Sequence, residues 1–393
     1  MSESADEASP QEARRPEKTI CVVGSGWRFT SGISYYTCHL SGALADRCRV
    51  SAILMRRLMP RTLYPGKARV GRKLATLDYD ARVEVLDGVD WFWGLSILRA
   101  VRHIRRARPD ALVLQWWTGT VAHTYLMLVL TARRMNSRIL VEFHEVQDTG
   151  EAGVPLVAWY TRLALAAVLR RADGFLVHSE FDRTALTRVY DLSGRPVRIV
   201  PHGPFEHHRA PRTAGVEGRC RLLFFGTIRP YKGLEHLIEA FNSLSADEAA
   251  SYRLTVVGET WEGWTRPLEL IAVSPHRDRI NLINRYVSDE EATGYFADAD
   301  AVVLPYLRSS ASGPLHIAMS NGLPIIVTAV GGLIEAVADY EGAILVPPAD
   351  APALADALRK TRVRAGATYA EQTSWDRNVD AILALASGTE PRQ

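Results

Sequence analysis

Arg229 and Lys232 lie three residues apart on the loop that follows an apolar run, Leu222 to Phe225, and a glycine, Gly226. Beyond them Leu234, Leu237, Ile238, Phe241 and Leu244 recur at the spacing of one helical face. The pair therefore stands between a strand and an amphipathic helix, at the helix mouth. Free backbone N–H groups and the positive end of the helix dipole favour an anion there, and two full charges add to the partial ones. The chemistry is the holding of a phosphate or diphosphate. Taken alone, the two residues also fit a solvated, basic surface loop.

Three other segments carry polar groups at strand ends. His144 follows the run Arg138 to Phe143, with Glu142, Glu145 and Asp148 nearby as carboxylates able to set its tautomer or raise its pKa. Gly24-Ser25-Gly26, followed by Ser31-Gly32, lets backbone approach a ligand, or simply turns the chain from strand to helix with no ligand. It is not G-x-G-x-x-G, so a dinucleotide oxidoreductase is disfavoured. In Arg308 to Gly322, RSSASGPLHIAMSNG, Pro314 suits the first turn of a helix, and the amides of Leu315 and His316 are expected to face an anion cradled by Gly313 to His316. Ser309, Ser310 and Ser312 add neutral hydrogen bonds.

The elements that position these residues alternate between β-type and helical runs, which predicts parallel sheets covered by helices. One set of strands is expected near Ile20–Val23, Val50–Leu54, Val83–Leu86, Ala111–Leu114, Arg138–Phe143 and Gly174–Val177. A second begins at Leu222 and continues through Leu254–Val257, Ile280–Ile283, Ala301–Leu304, Ile325–Val327 and Ala343–Val346. The fold class is α/β with two Rossmann-like domains, 18–204 and 219–373, joined by a linker at 205–218 that is rich in Pro, Gly, His and charge. A cleft between them is expected at the carboxyl ends of the strands. Residues 1–17 are polar and unpatterned, read as a disordered tail without the apolar core of a signal peptide.

Composition agrees: 47% of residues are apolar, and four cysteines, Cys21, Cys38, Cys48 and Cys220, lack the spacing of a metal site or disulfide frame. Ala111 to Ala132 has no formal charge and is long enough to span a bilayer, but Gln115, Gly119 and His123 divide it into strand, turn and helix. Met1 to Phe205 holds 29 Lys and Arg against 20 Asp and Glu, a balance of +9 that leaves −6 of the net +3 for the remainder. Arg56, Arg57, Arg61, Lys67, Arg69, Arg72 and Lys73, interleaved with Leu58, Met59, Leu63 and Tyr64, suit anionic headgroups or equally a solvated loop. No basic recognition helix or RNA-binding aromatic signature appears, so nucleic acid is not an expected partner. Trp91, Trp93, Trp116 and Trp117 offer stacking surfaces or simply core packing.

The segment FGTIRPYKG, Phe225 to Gly233, resembles the donor-diphosphate loop of the retaining glycosyltransferases of the GT-B fold, family 4. Similar family segments follow one another in order: Val22–Tyr36, Arg108–Gln115, Glu142–Val146, Phe175–Asp182, Arg198–Gly203, Arg285–Glu291 and Leu323–Glu335. The resemblance covers roughly Lys18 to Leu385. It implies that Arg229 and Lys232 hold a leaving diphosphate, that His144 contacts the donor sugar, and that the glycine loop faces donor phosphates and acceptor, with Gly26 and Gly32 as binding candidates. It implies base reading around Asn281 to Tyr286, with Arg285 among the donor-binding residues, and a last helix, 374–388, crossing back onto the first domain. His202-Gly203, which has a counterpart near the family hinge, is read as mainly structural.

One departure is plain. The family commonly carries two glutamates seven residues apart, the second binding ribose, whereas Ala301 to Ile334 contains no Asp or Glu and Ile317 stands where the second is expected. The segment resembles branches with an S-x-S-G-like turn. The reading is a metal-independent retaining glycosyltransferase, without cofactor beyond its nucleotide-sugar co-substrate, acting on a glycan, lipid-linked or small-molecule acceptor. Asp78-Tyr79-Asp80 and Asp298-Ala299-Asp300 match a metal-binding spelling but not its expected place. A GT-B epimerase or phosphorylase, or a non-catalytic nucleotide-sugar binder, are the other classes; the expected location is cytoplasmic, with possible contact at the membrane surface.

Overall fold

Uninterrupted Val, Ile and Leu runs suit strands covered on both faces, and Ile20, Val22, Val23, Leu112 and Val113 are fully buried in a computed structural model. The structure describes residues 18–27, 32–57, 77–90, 94–145, 155–205, 208–213, 219–261, 263–364 and 366–388. The expected tail and most of the basic cluster lie outside them, as do Ser31, Trp91, Trp93 and Asp148.

Strands β1 (Thr19–Ser25), β2 (Arg49–Arg57), β3 (Glu84–Asp90), β4 (Ala111–Trp116), β5 (Arg138–Phe143), β6 (Gly174–Val177) and β7 (Val197–Ile199) form one sheet in the order β3-β2-β1-β4-β5-β6-β7. Strands β8 (Cys220–Phe225), β9 (Tyr252–Val257), β10 (Ile280–Ile283), β11 (Ala301–Leu304), β12 (Ile325–Thr328) and β13 (Ala343–Val346) form a second, β10-β9-β8-β11-β12-β13. Pairing is parallel in both sheets. In each, the first strand lies centrally and the order reverses beside it, which opens a crevice at the carboxyl edge.

Around the first sheet run α1 (Gly32–Ala45), α2 (Ser96–Ala107), α3 (Ala122–Arg133), α4 (Pro155–Leu169) and α5 (Glu180–Val189). The second carries α6 (Leu234–Asn242), α7 (Ala246–Ala250), α8 (Arg266–Ala272), α9 (Asp289–Asp298), α10 (Gly313–Ser320), α11 (Leu333–Ala336) and α12 (Ala351–Val363). The uncharged stretch from Ala111 is thus strand β4 and helix α3 with a short 3-10 turn between. No helix among the described residues is long and apolar enough to cross a membrane. All four cysteines are buried thiols outside any disulfide.

The last helix, α13 (Asp376–Ser387), returns to the first domain, where Val379, Ile382, Leu385 and Ala386 join a core with Ile20, Val22, Leu40, Leu140 and Leu176. Trp375, just before it, packs edge-on against Tyr36, and Gly203 must be glycine because a Cβ would sit 2.3 Å from that indole. Tyr35, Cys38 and Phe205 share the other domain's core, so α1 and the linker bind the halves together. Glu335 of α11 adds a polar clasp by accepting the Glu180 and Phe181 N–H groups, at 2.6 and 3.0 Å, at the start of α5.

Candidate active site

At the end of β5 the His144 N–H donates to the Trp116 carbonyl at 2.8 Å, which holds the residue at the carboxyl edge of the first sheet. Its ring is buried beneath Tyr36. Nε2 meets Gln115 Oε1, and Nδ1 lies 3.0 Å from His178 Nε2, whose own Nδ1 is 3.0 Å from the Val200 carbonyl. Gln115 donates to Glu142 at 2.6 Å, Tyr36 donates to the same carboxyl at 2.5 Å, and Asn378 of α13 donates to the Tyr36 hydroxyl at 2.7 Å. One hydrogen-bonded chain therefore runs from the hinge to the C-terminal helix.

These contacts constrain where the protons sit. Val200 can only accept, so His178 Nδ1 carries a proton; the contact between the imidazoles requires another, and the Gln115 carbonyl requires a third. Two neutral imidazoles supply two. With Glu142 ionised, one histidine must be an imidazolium; with the Gln115 amide turned over and Glu142 protonated, both rings are neutral and every contact is kept. Burial weighs against the imidazolium state. It raises the Glu142 pKa to about 7 against the pull of Tyr36 and Gln115, drives His144 well below its usual range with help from the His178 charge, and lowers His178 to about 4. Glu142 is thus the carboxylate linked to His144, through Gln115, whereas Glu145 is exposed.

His202 does more than turn the chain at a hinge. Its ring centroid lies 4.1 Å from that of His178 and 4.8 Å from that of His316, on which it stacks. All four histidine rings are buried, and neither nitrogen of His202 has a hydrogen-bond partner among the described residues. Sequence reasoning passed over His178, although it follows β6 as His144 follows β5; that repeated strand-end position was the available signal. A cavity of about 310 Å³, lined by His178, His202, Ser310, His316 and Glu335 among others, opens beside the cluster.

The cationic loop is built by glycines. Gly226 turns at φ +132°, and its N–H donates to Val257 at 3.0 Å; Gly233 ends the 3-10 turn Pro230–Lys232 at φ +61°, where a Cβ would meet the Pro305 carbonyl at 2.0 Å. Behind it α6 buries Leu234, Leu237, Ile238 and Phe241, the face expected from their spacing. Lys232 is no solvated cation. It is buried, with Nζ 3.6 Å from the centroid of Tyr306, and desolvation lowers its pKa while the Glu145 charge acts to raise it. The Arg229 guanidinium lies 5.1 Å from the Tyr231 ring centroid and 5.7 Å from that of Trp261.

Tyr306 links this loop to α10, because it accepts a 3.3 Å hydrogen bond from Ser312, the helix N-cap. Gly313 then faces Gly32 backbone to backbone: a Cβ on Gly32 would be 3.9 Å from the Gly313 Cα. The starts of α1 and α10, one from each domain, meet at that point, where anions are favoured.

Several expected ligand contacts are occupied within the protein. The Leu315 N–H bonds to Ser312 through both its carbonyl and its hydroxyl, and the His316 N–H also reaches the Ser312 carbonyl, so these amides close the first helical turn. The Ser312 hydroxyl is taken up by the cap and Tyr306. Gly26 is required by packing, since a Cβ would lie 2.8 Å from Leu54. Arg285 is exposed and paired in two places with Glu291, the capping-box residue of α9. Trp116 and Trp117 are core residues. Asp80 pairs with Arg82, Asp300 with Arg212 and Arg221, and Arg56 and Arg57 with the buried Asp90.

Residues 31–203 match the family model described as glycosyl transferase 4-like domain, and residues 219–361 match that of glycosyl transferases group 1. A D-inositol 3-phosphate glycosyltransferase of Saccharomonospora viridis is 28% identical over 239 residues, 55% of this chain and 56% of that protein. The chain thus spans about half the length of such curated relatives. Among solved structures, sucrose-phosphate synthase from Thermosynechococcus elongatus superposes with a TM-score of 0.66 at 18% identity, covering 95% of this chain and 99% of that one. The Anabaena protein HepE in complex with UDP gives 0.60 at 15% identity, covering 93% and 94%. With both halves matched in order and the paired parallel sheets shared with these structures, the chain belongs to the group 1 glycosyltransferases of the GT-B fold.

Proposed function

We propose that the protein is a retaining, metal-independent glycosyltransferase that takes a sugar from a nucleotide-diphosphate donor in the interdomain cleft and passes it to a hydroxyl-bearing acceptor. The observation that carries this reading is the pairing of a buried Lys232 with Arg229 on a glycine-framed loop, joined through Tyr306 and Ser312 to the start of α10. A UDP-bound structural neighbour of the same fold accords with a nucleotide donor.

Glycosyl departure builds negative charge on the diphosphate, so cations already in place stabilise the transition state more than the ground state. Lys232 is already desolvated against Tyr306, which strengthens its interaction with an incoming phosphate. Gly32 and Gly313 bring backbone close to phosphate oxygens, and His144 positions the donor sugar by exchanging its Gln115 or His178 contact for one to the donor. The Glu142–Gln115 pair sets how many protons that ring holds.

Thermal-shift titration with UDP-, GDP-, ADP- and dTDP-sugars, without metal, tests the donor site. Stabilisation by one nucleotide class in the wild type, absent in Lys232→Ala, is expected. No shift at millimolar concentration of any of them would overturn the nucleotide-sugar reading. Product analysis then separates transfer from epimerisation or phosphorolysis, which need no glycosyl acceptor.

A further inference from the structure

We propose that His144, His178 and His202 form a binding site for a divalent transition metal of the zinc class. The three side chains are buried, and each offers a ring nitrogen such that these atoms lie within 4.8 Å of one another. Imidazole-only sites favour Zn²⁺, Co²⁺, Ni²⁺ or Cu²⁺ over Mg²⁺ and Ca²⁺, which prefer oxygen. The site is therefore of a different metal class from any Mg²⁺ requirement for transfer.

The surrounding contacts are those of metal-bound histidines. A ligating imidazole characteristically donates its second N–H to a carbonyl or carboxylate, which fixes the tautomer and aims the other nitrogen. His178 Nδ1 faces the Val200 carbonyl, and His144 Nε2 faces Gln115 Oε1, itself anchored by Glu142. Both outer contacts leave the remaining nitrogens, His178 Nε2 and His144 Nδ1, pointing at each other 3.0 Å apart. Zn–N bonds of about 2.0–2.1 Å in a tetrahedron place such nitrogens roughly 3.3 Å apart, so this pair is already close to ligand spacing.

Without an ion, the Gln115 orientation found requires a third proton on the two imidazoles, and the alternative is an overturned amide with a protonated Glu142. With one, two lone pairs meet the cation, both imidazoles are neutral, and the Gln115 amide and Glu142 carboxylate keep the orientation found. His202 supplies a second, independent pointer: a buried ring beside this pair with neither nitrogen partnered among the described residues. Its ligand nitrogen lies within 4.8 Å of the other two, so an inward swing of at most about 1.5 Å reaches tetrahedral spacing. The cavity lined by His178, His202 and His316 gives the ion a path and leaves the fourth position open to water. An ion held by His144 Nδ1 occupies the ring assigned to the donor sugar, so ion and donor compete; that consequence alone rests on the proposed transferase reading.

The test is titration of metal-stripped full-length protein with Co²⁺, followed by visible absorption, and equilibrium dialysis against Zn²⁺ with metal analysis. One ion per chain, intense tetrahedral Co²⁺ bands, and at least about a 100-fold weaker affinity in His178→Gln and His202→Gln are expected, with Gln115→Leu weakening binding about 10–100-fold. Less than stoichiometric binding by the wild type, or binding unchanged in the two histidine variants, overturns the site. Misfolding of those variants would also abolish binding, so zinc K-edge absorption on the loaded wild type provides an independent measurement: three imidazole nitrogens sustain the proposal, and an oxygen-dominated shell defeats it.

Discussion

The cationic loop and the histidine cluster face the same cleft with opposite solutions to burying nitrogen bases. Lys232 keeps a basic group in the interior against an aromatic face, a short distance along the chain from Arg229. The cluster instead brings together four imidazoles from the ends of β5 and β6, the segment after β7, and α10, and burial holds them towards the neutral form. One region is ready for an anion; the other is rich in lone pairs. The lesson is that low dielectric does not dictate charge by itself: an aromatic face under an ammonium and crowding among like bases lead to different outcomes.

Removing the buried ammonium breaks the comparison most severely. Lys232→Ala is expected to lower the transfer rate by about 10²–10³, measured as kcat with saturating donor, while leaving the fold intact by circular dichroism. A loss below about tenfold would mean that Arg229 and backbone alone stabilise the leaving group. Gly233→Ala strikes the frame that holds the ammonium, through both its φ and the Pro305 carbonyl, and should cost about 1–3 kcal/mol of stability in denaturant titration. Wild-type stability there would show that the loop relaxes freely.

The other region is sharpened by pH. The folded pKa values of His178 and His316, about 4 and about 3, lie below the unfolded value, so their contribution is complete above about pH 6.5 and is lost as pH falls towards 4. Glu142 acts in reverse: raised to about 7, it contributes fully below its unfolded value near 4.5 and loses that contribution as pH rises through 7. Glu142→Gln removes the opposing effect, so calorimetric Tm should climb more steeply between pH 5 and 7 than in the wild type. Parallel curves would disprove the linkage. The smallest change is expected from Arg285→Ala, whose exposed pair with Glu291 is screened by solvent and whose loss should alter donor affinity by less than about threefold. A larger drop in a binding titration would return Arg285 to the donor site.

Much of this was legible beforehand where the signal was local. The apolar runs at Arg138–Phe143, Gly174–Val177 and Ala301–Leu304 coincide with strands, since near-continuous burial leaves little room for another periodicity, and Ile280–Ile283 and Ala343–Val346 coincide with strands at the two edges of the second sheet, only partly buried. Strand β7 escaped because Val197–Ile199 is three residues long and not fully buried, with an arginine in the middle. Strand β3 runs on through Asp87 and Gly88 because it is an edge strand with an irregular register against β2. At the site, the loop around Gly226 and Gly233 could be read because its parts are contiguous. The histidine cluster could not: its members are joined only by the order of strands in a sheet and by a helix of the opposite domain. Polar groups also look free in a sequence until their partners are known, as Arg285 with Glu291 and the Leu315 amide with Ser312 illustrate.

The return of α13 has a consequence for how the molecule is made. Its Val379, Ile382 and Leu385 cover Ile20, Val22 and Leu176, and its Asn378 holds the Tyr36 hydroxyl that steadies Glu142. During synthesis the first domain emerges before these residues, so the part of its sheet that α13 covers beside α1 stays open until that helix follows. A chain cut short of α13 therefore keeps Tyr36 without Asn378 and leaves the second domain facing an unfinished partner.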